Sequence, residues 1–150
     1  MAIDSHMHIN SIVLEKVKIS DYINEIINNP DIKSVINVGL NIDTSNESLL
    51  ISKINSNFYS TIGIHPLYIE SQNVESLYEL GTCDRVVAIG EIGLDYHYEC
   101  DKNLQRELFK KQLSIAKKHH KPVIVHSRDC IEETYNILKE TGIKGIMHCY

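Results

Sequence analysis

The stretch "RVVAIGEIGLDY", residues 85–96, decides the fold. It begins as an apolar run rich in valine and isoleucine, which is typical of a strand covered on both faces in a parallel sheet. The run ends at a carboxylate, Glu91. The position of this acid is explained by the residues that the other predicted strands place beside it.

Five further apolar runs alternate with amphipathic stretches along the chain. Most of them lack polar alternation, which again favours the strands of a parallel sheet. We predict six strands, over residues 2–9, 34–40, 58–65, 86–92, 122–127 and 144–149. We predict five helices between them, over residues 20–29, 44–56, 73–81, 101–120 and 129–141.

Two of the predicted helices carry capping signals. Thr44 followed by Glu47 has the spacing of a capping box, which predicts the start of the second helix. Asp129 followed by Glu132 marks the start of the fifth helix, and Gly142 is expected to end it.

The order of strands and helices predicts right-handed parallel crossovers. No linker or composition shift divides the chain, so we expect one domain over residues 1–150. Two α/β architectures fit this order, an open doubly wound sheet and a (β/α)8 barrel. The nucleotide-binding version of the open sheet is disfavoured, because no glycine-rich phosphate loop follows the first strand.

Composition excludes some classes of protein. The 150 residues carry a net charge of −5, whereas domains that coat nucleic acid are usually basic. The charge still allows a nuclease that binds a few phosphates through metal ions. The four cysteines form no C-x-x-C pair, and no secretory signal or apolar run of about 20 residues is present. We therefore expect reduced thiols, no membrane span and a cytoplasmic location.

Histidines collect at the predicted C-terminal ends of the strands, which is the edge where parallel α/β proteins bind ligands. His6 and His8 are two residues apart, so on a strand both side chains point to one face and can bind one ion. His65, His126 and His148 end other predicted strands at the same edge, and Glu91 ends the fourth strand there.

The joint placement of His6, His8, Glu91, His126 and His148 predicts a metal site. Imidazole and carboxylate together suit zinc, manganese, iron or nickel better than calcium. Five ligands exceed the three protein ligands of a catalytic zinc, but they suit two ions roughly 3.5–4 Å apart. Glu91 is the only acid placed to bridge such a pair. Two ions of this kind acidify water and polarise the bond that it attacks.

Several long motifs resemble the TatD-like metal-dependent deoxyribonucleases of the amidohydrolase superfamily. The match runs from residue 2 to residue 150, and "GEIGLDY" followed later by "PVIVHSRD" is highly specific. The motifs are "DSHMHI", "GIHP", "AIGEIGLDY", "QRELFKKQLSIAKKHHKPVIVHSRD" and "GIMHCY". The resemblance implies a (β/α)8 barrel that hydrolyses phosphodiester bonds in DNA, often from an exposed 3′ end, with magnesium or another divalent ion.

The resemblance also implies a role for each ligand. His6 and His8 would hold the first ion, and His126 and His148 would hold the second. Glu91 would bridge the two ions and is the residue on which catalysis is expected to depend. The identity of the ions, whether magnesium, zinc, manganese or similar, stays open.

Four further residues match motif positions near the site. His65 and Arg128 would contact the phosphate of the DNA or other phosphodiester substrate. Asp95 and Tyr96 are expected to contact and orient the metal ligands without binding the ions themselves.

Other hydrolases also begin with an H-x-H strand, but those that cleave C–N bonds often bridge their metals with a carboxylated lysine on the fourth strand. Glu91 at that position favours the nuclease family.

The chain departs from the family pattern after its sixth strand. Relatives continue with two more strands and an Asp that completes the shell of the first metal. Six strands cannot close an eight-stranded circle, so we expect an incomplete barrel whose first and sixth strands expose unpaired backbone and apolar faces. Three explanations stay open: the N-terminal piece of a longer enzyme, a short form completed by association, and a degenerate metal-binding fragment without turnover.

Overall fold

The structure, a computed structural model, describes residues 1–11, 19–70 and 73–148. The strands are β1 (Ala2–Met7), β2 (Ile32–Val38), β3 (Phe58–Ile62), β4 (Val86–Asp95), β5 (Val123–Arg128) and β6 (Gly145–His148). The helices are α1 (Ile19–Asn28), α2 (Ile42–Ser52), α3 (Ser76–Leu80), α4 (Lys102–Lys118) and α5 (Ile131–Thr141). A short 3₁₀ helix, Pro66–Tyr68, follows β3 and was not predicted.

The six strands form one parallel sheet in which their spatial order equals their order in the chain. A doubly wound sheet would reverse its strand order at a switch point, and this sheet does not. The sheet also curls strongly, because the rings of His6 on β1 and His148 on β6 stack with their centroids 3.4 Å apart. The predicted incomplete (β/α)8 barrel is therefore confirmed.

Apolar side chains cover both faces of the sheet, as the valine and isoleucine runs predict. The larger cluster lies between the sheet and the helices, and it includes Ile62, Ile92 and Val125 together with Phe109 and Leu113 of α4. A second cluster packs β1, β2 and α1. A smaller group on the other face joins β2, β4 and β5 through Val38, Ala88 and Ile124. This group forms the apolar floor beneath the predicted ligands.

Two buried glutamines of α4 hold the ends of two strands. The side chain of Gln112 accepts a hydrogen bond from the N–H of Ile64 at 2.7 Å and donates one to its C=O at 3.1 Å. Gln105 binds the N–H and C=O of Asp95 in the same way, at 2.9 and 3.0 Å. The two glutamines therefore fix the backbone immediately before His65 and at the end of β4.

The start of α2 was predicted wrongly. The helix begins one turn earlier than the proposed Thr44 cap, because Asn41 is the N-cap and Thr44 completes the capping box as its third residue. Glu47 is free to bind elsewhere, and its carboxylate accepts hydrogen bonds from the N–H and hydroxyl of Ser11 at 2.9 and 2.6 Å. Two overlapping cap signals lie one turn apart here, and the structure uses the first.

The end of α5 was predicted correctly and its start was not. Gly142 ends the helix in the left-handed conformation, with φ +64°. The N-cap is Cys130 rather than Asp129, and its side chain makes no capping hydrogen bond. Asp129 adopts a positive φ of 57° and turns its carboxylate toward His97, 2.9 Å from the ring Nδ1.

The sheet is open along its first and last strands. Within the described ranges, β1 pairs only with β2, and β6 pairs only with β5. Ile3 on β1 is 61% exposed and Ile146 on β6 is 62% exposed. The expected exposure of apolar side chains at these two edges is therefore confirmed.

Two expectations from the sequence, the absence of a membrane span and reduced thiols, concern the described helices and cysteines. Across residues 1–11, 19–70 and 73–148, no helix combines the length and apolar character needed to cross a membrane. Cys83, Cys100 and Cys130 have free thiols, as their spacing predicts, and Cys149 lies outside the described residues.

Replacing Gln112 by Met tests the role of the glutamines. We expect the free energy of unfolding to fall by roughly 2–5 kcal/mol, because the buried N–H and C=O of Ile64 lose their partners. Urea denaturation followed by circular dichroism measures this change. Lys111→Met at the exposed neighbouring position is the control and should change stability by less than about 0.5 kcal/mol. Equal stability of the two variants would contradict the assignment.

Candidate metal centre

Glu91 lies inside β4 rather than at its end, which corrects the sequence prediction. The strand continues to Asp95, and residues 89–92 form a bulge opposite residues 123–125 of β5, with one extra residue on β4. A bulge re-aims the side chain that it carries. The Glu91 side chain is 5% exposed and lies among histidines from three other strand ends.

Gly93, two residues after Glu91, allows β4 to pack closely against β5 beside the bulge. Gly93 has a φ of +143°, a conformation that residues with a side chain rarely adopt. A Cβ added there would lie 2.0 Å from the carbonyl oxygen of His126. Gly93 therefore lets β4 approach the strand that carries His126, and the "GEIG" motif serves a backbone requirement as well as a chemical one.

The two carboxylate oxygens of Glu91 face different histidines. Oε2 lies 3.2 Å from Nε2 of His6 and 3.8 Å from Nε2 of His8. Oε1 lies 3.2 Å from Nδ1 of His126 and 3.9 Å from Nε2 of His65. The carboxylate thus stands between two groups of imidazoles and presents one oxygen to each.

Three successive carbonyl groups, at the last residue of β2 and the two residues after it, hold the site together. The carbonyls of residues 38–40 accept, in order, from Nδ1 of His8 at 3.1 Å, the N–H of Glu91 at 3.1 Å and the N–H of His65 at 2.9 Å. His8 follows β1, Glu91 lies in β4 and His65 lies after β3. The backbone at the β2–α2 junction therefore sets their relative positions.

Hydrogen bonds to ring nitrogens fix the protons of two neutral histidines. Since Nδ1 of His8 donates to the carbonyl of Val38, its Nε2 carries a lone pair that faces Glu91. His65 has the opposite arrangement, because its Nδ1 accepts from the N–H of Leu67 at 3.2 Å. The proton of neutral His65 is therefore on Nε2, which makes His65 a hydrogen-bond donor toward the site.

His126 lies between two carboxylates. Its Nε2 is 2.9 Å from Oδ2 of Asp95, and its Nδ1 is 3.2 Å from Oε1 of Glu91. Burial alone would lower the pKa of His126, but the hydrogen bonds with Glu91 and Asp95 raise it above its ordinary value. Two acceptors facing one ring favour either a second proton or a cation beside Nδ1.

The other shifts in pKa favour neutral rings around an ionised acid. Burial lowers the pKa of His65 to about 4 and also lowers the pKa of His8. Burial would raise the pKa of Glu91, yet hydrogen bonds with His126 and His6 bring it far below its usual range. Unprotonated imidazole and ionised carboxylate are the forms that bind metal ions.

His148 and Arg128 lie at the border of this cluster. His148 is opposite His126 in the register of β5 and β6, but its ring stacks on His6. Its role as a second ligand beside His126 stays a prediction. The guanidinium carbon of Arg128 lies 5.5 Å from the ring centre of Tyr98, and its contact with substrate also stays a prediction.

The donor atoms fit divalent cations in two places. Within the described part of the chain, two groups have ligand atoms that all lie within 4.8 Å of one another. These groups are His6–His8–Glu91 and His65–Glu91–His126. In the second group, the Nε2–H of His65 makes this residue a hydrogen-bond donor, so His126 and Glu91 are the ligand candidates there. Nitrogen and carboxylate donors suit zinc, manganese and similar ions. Sequence reasoning did not group His65 with His126, because the 3₁₀ helix that turns His65 toward Glu91 was not predicted.

The two supporting residues of the motif have different roles. Asp95 bonds His126 as expected, and its Oδ1 accepts the N–H of His97 at 3.0 Å. Tyr96 instead points to the helices, where its hydroxyl donates to Glu133 at 2.9 Å. Burial and Glu133 raise the pKa of Tyr96 to about 12. Sequence reasoning did not select His97; its only signal was its place directly after the motif.

A curled parallel sheet with a histidine–carboxylate cluster at the C-terminal ends of its strands has the arrangement of a barrel protein with its active site at that face. The family described as TatD related DNase matches residues 3–150, and the chain belongs to this family. The resemblance of the motifs is therefore confirmed.

Individual relatives agree with this assignment. A Bacillus subtilis protein named as an uncharacterized metal-dependent hydrolase, YabD, is 33% identical over an alignment of 165 positions. The alignment covers 100% of this chain and 61% of that protein. A Buchnera aphidicola protein with the same description is 39% identical, covering 99% of this chain and 58% of its own length. The crystal structure of YjjV, a TatD homologue from Escherichia coli, superimposes with a TM-score of 0.85 at 25% identity, covering 99% of this chain and 60% of that one. The chain thus spans about three fifths of these relatives.

Replacing Asp95 by Asn tests how the cluster is held. We expect the affinity for Mn²⁺ to fall by about 10- to 100-fold, because the neutral amide polarises and orients the His126 ring less well than the carboxylate does. Isothermal titration calorimetry measures the affinity. Asp84→Asn, at an exposed position before β4, is the matched control. Unchanged affinity in Asp95→Asn would show that Asp95 does not support a ligand.

Proposed function

We propose that the cluster around Glu91 binds two divalent cations and hydrolyses phosphodiester bonds in DNA. The observation that carries this proposal is the division of the Glu91 carboxylate, with one oxygen toward His6 and His8 and the other toward His126 and His65. A single-ion site would not require a buried acid with histidines against both oxygens.

The proposed ligands follow the two sides of Glu91. His6, His8 and Oε2 would hold the first ion. His126 and Oε1 would hold the second, together with His148 from the neighbouring strand. Divalent ions held there would supply Lewis acidity, which acidifies water and withdraws electrons from a phosphate ester.

Two side chains are proposed to contact the substrate phosphate. His65 offers the Nε2–H that its bond with Leu67 leaves pointing toward the site. Because burial lowers the pKa of His65, it can donate this proton in a hydrogen bond without carrying a positive charge. Arg128 is exposed at the end of β5, two residues after His126, and its guanidinium group can pair with a phosphate oxygen.

DNA is favoured over other phosphodiesters by the family description, TatD related DNase. The names of the Bacillus and Buchnera relatives support metal-dependent hydrolysis. With a net charge of −5, the chain cannot rely on a broad basic surface, so its phosphate contacts depend on bound ions and a few cationic side chains. We expect the reaction to take place in the cytoplasm.

Replacing Glu91 by Gln tests the proposed function. We expect Mn²⁺-dependent release of nucleotides from single-stranded DNA to fall by more than about 100-fold, the upper end for residues that only orient a ligand. The amide removes the charge and one of the two acceptor oxygens. Release of nucleotides is measured by chromatography, with Glu25→Gln on the exposed side of α1 as the control.

The outcome also separates an enzyme from a metal-binding fragment without turnover. Wild-type protein that binds Mn²⁺ but releases no nucleotide would support the fragment. Activity that survives in Glu91→Gln would contradict the proposed centre.

We propose in addition that the open edges of the sheet pair with further parallel β/α units of the same fold. The sheet ends in unpaired strands at β1 and β6, where Ile3 and Ile146 are exposed. The relatives named above have about two fifths of their length beyond what this chain matches. Strands from such a segment would pair with both edges and cover both isoleucines.

Mixing the chain with the part of the Bacillus relative that it does not match tests this pairing. We expect a 1:1 complex in size-exclusion chromatography, abolished by Ile3→Lys or Ile146→Lys because a charge would be buried. Ile54→Lys, at an exposed isoleucine after α2, should leave the complex intact. A chain that stays strictly monomeric in the mixture would contradict the pairing, and a dimer without the segment would assign the edges to a second copy.

A further inference from the structure

An exposed aromatic ring stands beside the candidate metal centre. Tyr98 follows β4 and is 53% exposed. The ring of His97 meets it edge to face, with centroids 4.9 Å apart and planes at 86°. The guanidinium of Arg128 lies 5.5 Å from its centre. The ring is therefore held by two neighbours while about half of its surface faces solvent.

Short hydrogen bonds connect this ring to the site. The carboxylate of Asp95 accepts from the ring of His126 at 2.9 Å and from the N–H of His97 at 3.0 Å. His97 also contacts Asp129, 2.9 Å away, at the start of the segment after β5. The loop that carries Tyr98 is thus bonded to the same acid as a proposed metal ligand, and it forms the rim of the site.

The chemistry of the rim fits a nucleobase better than a run of phosphates. Glu99 follows Tyr98, and Asp129 follows Arg128, so an acidic residue adjoins both the ring and the guanidinium group in the sequence. Such a surface offers no continuous basic strip to follow a nucleic-acid backbone. An exposed aromatic ring next to one guanidinium group instead offers a stacking surface for one base and a partner for one phosphate.

We propose that Tyr98 stacks on the base that adjoins the cleaved phosphodiester. This inference rests on the proposed function and assigns to it a residue that contacts the base.

The test measures binding of a short single-stranded oligonucleotide with phosphorothioate linkages that resist cleavage. Fluorescence anisotropy in the presence of Mn²⁺ gives the dissociation constant. We expect Tyr98→Leu to weaken binding by about 10- to 100-fold and Tyr98→Phe to restore it, because the stacking face is an aromatic ring. Tyr135→Leu is the matched control, since Tyr135 is 55% exposed and has Lys139 6.0 Å from its ring centre, on α5.

An abasic oligonucleotide separates stacking from a structural effect. When the two nucleotides at the 3′ end lack bases, wild-type protein should lose the same factor in affinity, and Tyr98→Leu should lose nothing more. Equal loss in Tyr98→Leu for intact and abasic oligonucleotides, or no loss for either, would overturn the proposal.

The binding measurement keeps this inference separate from the proposed function. Tyr98-dependent binding without any cleavage of ordinary DNA would overturn the proposed hydrolysis and leave the stacking contact standing. Cleavage of DNA with binding that is insensitive to Tyr98 would overturn the stacking contact alone.

Discussion

The buried carboxylate of Glu91 is the constraint on which the rest of the site depends. Removing an ionised acid from water costs several kcal/mol unless other groups compensate for the lost hydration. Hydrogen bonds with His126 and His6, together with the nearby ring of His65, supply that compensation. These imidazoles come from β1, β5 and the segment after β3. The bulge in β4 places the acid at the level where these strand ends converge.

The backbone, rather than side chains alone, keeps these groups in register. Carbonyls 38–40 bind residues of β4 and of the segments after β1 and β3, and Gln105 and Gln112 hold β4 and β3 through their backbone groups. Each contact uses a main-chain group on at least one side. The arrangement of the ligands thus depends on how β2 and α4 pack against the sheet.

Local sequence patterns predict much of this architecture. Valine and isoleucine runs gave the order of strands, and the spacing of His6 and His8 placed both on one face. Glu91 was predicted at the end of β4 but lies inside it. The pattern of apolar residues does not show the bulge, because a bulge is an adjustment of one strand to its neighbour. The grouping of His65 with His126 was missed because it depends on an unpredicted 3₁₀ helix. The buried glutamines were missed because their partners are backbone groups far away in the chain.

We propose that the two oxygens of Glu91 face two different cations. Crystals of the protein soaked in Mn²⁺ test this arrangement through an anomalous difference map. We expect two peaks roughly 3.5–4 Å apart, one beside Oε2 with His6 and His8 and the other beside Oε1 with His126. A single peak, or peaks that do not contact Glu91, would contradict it.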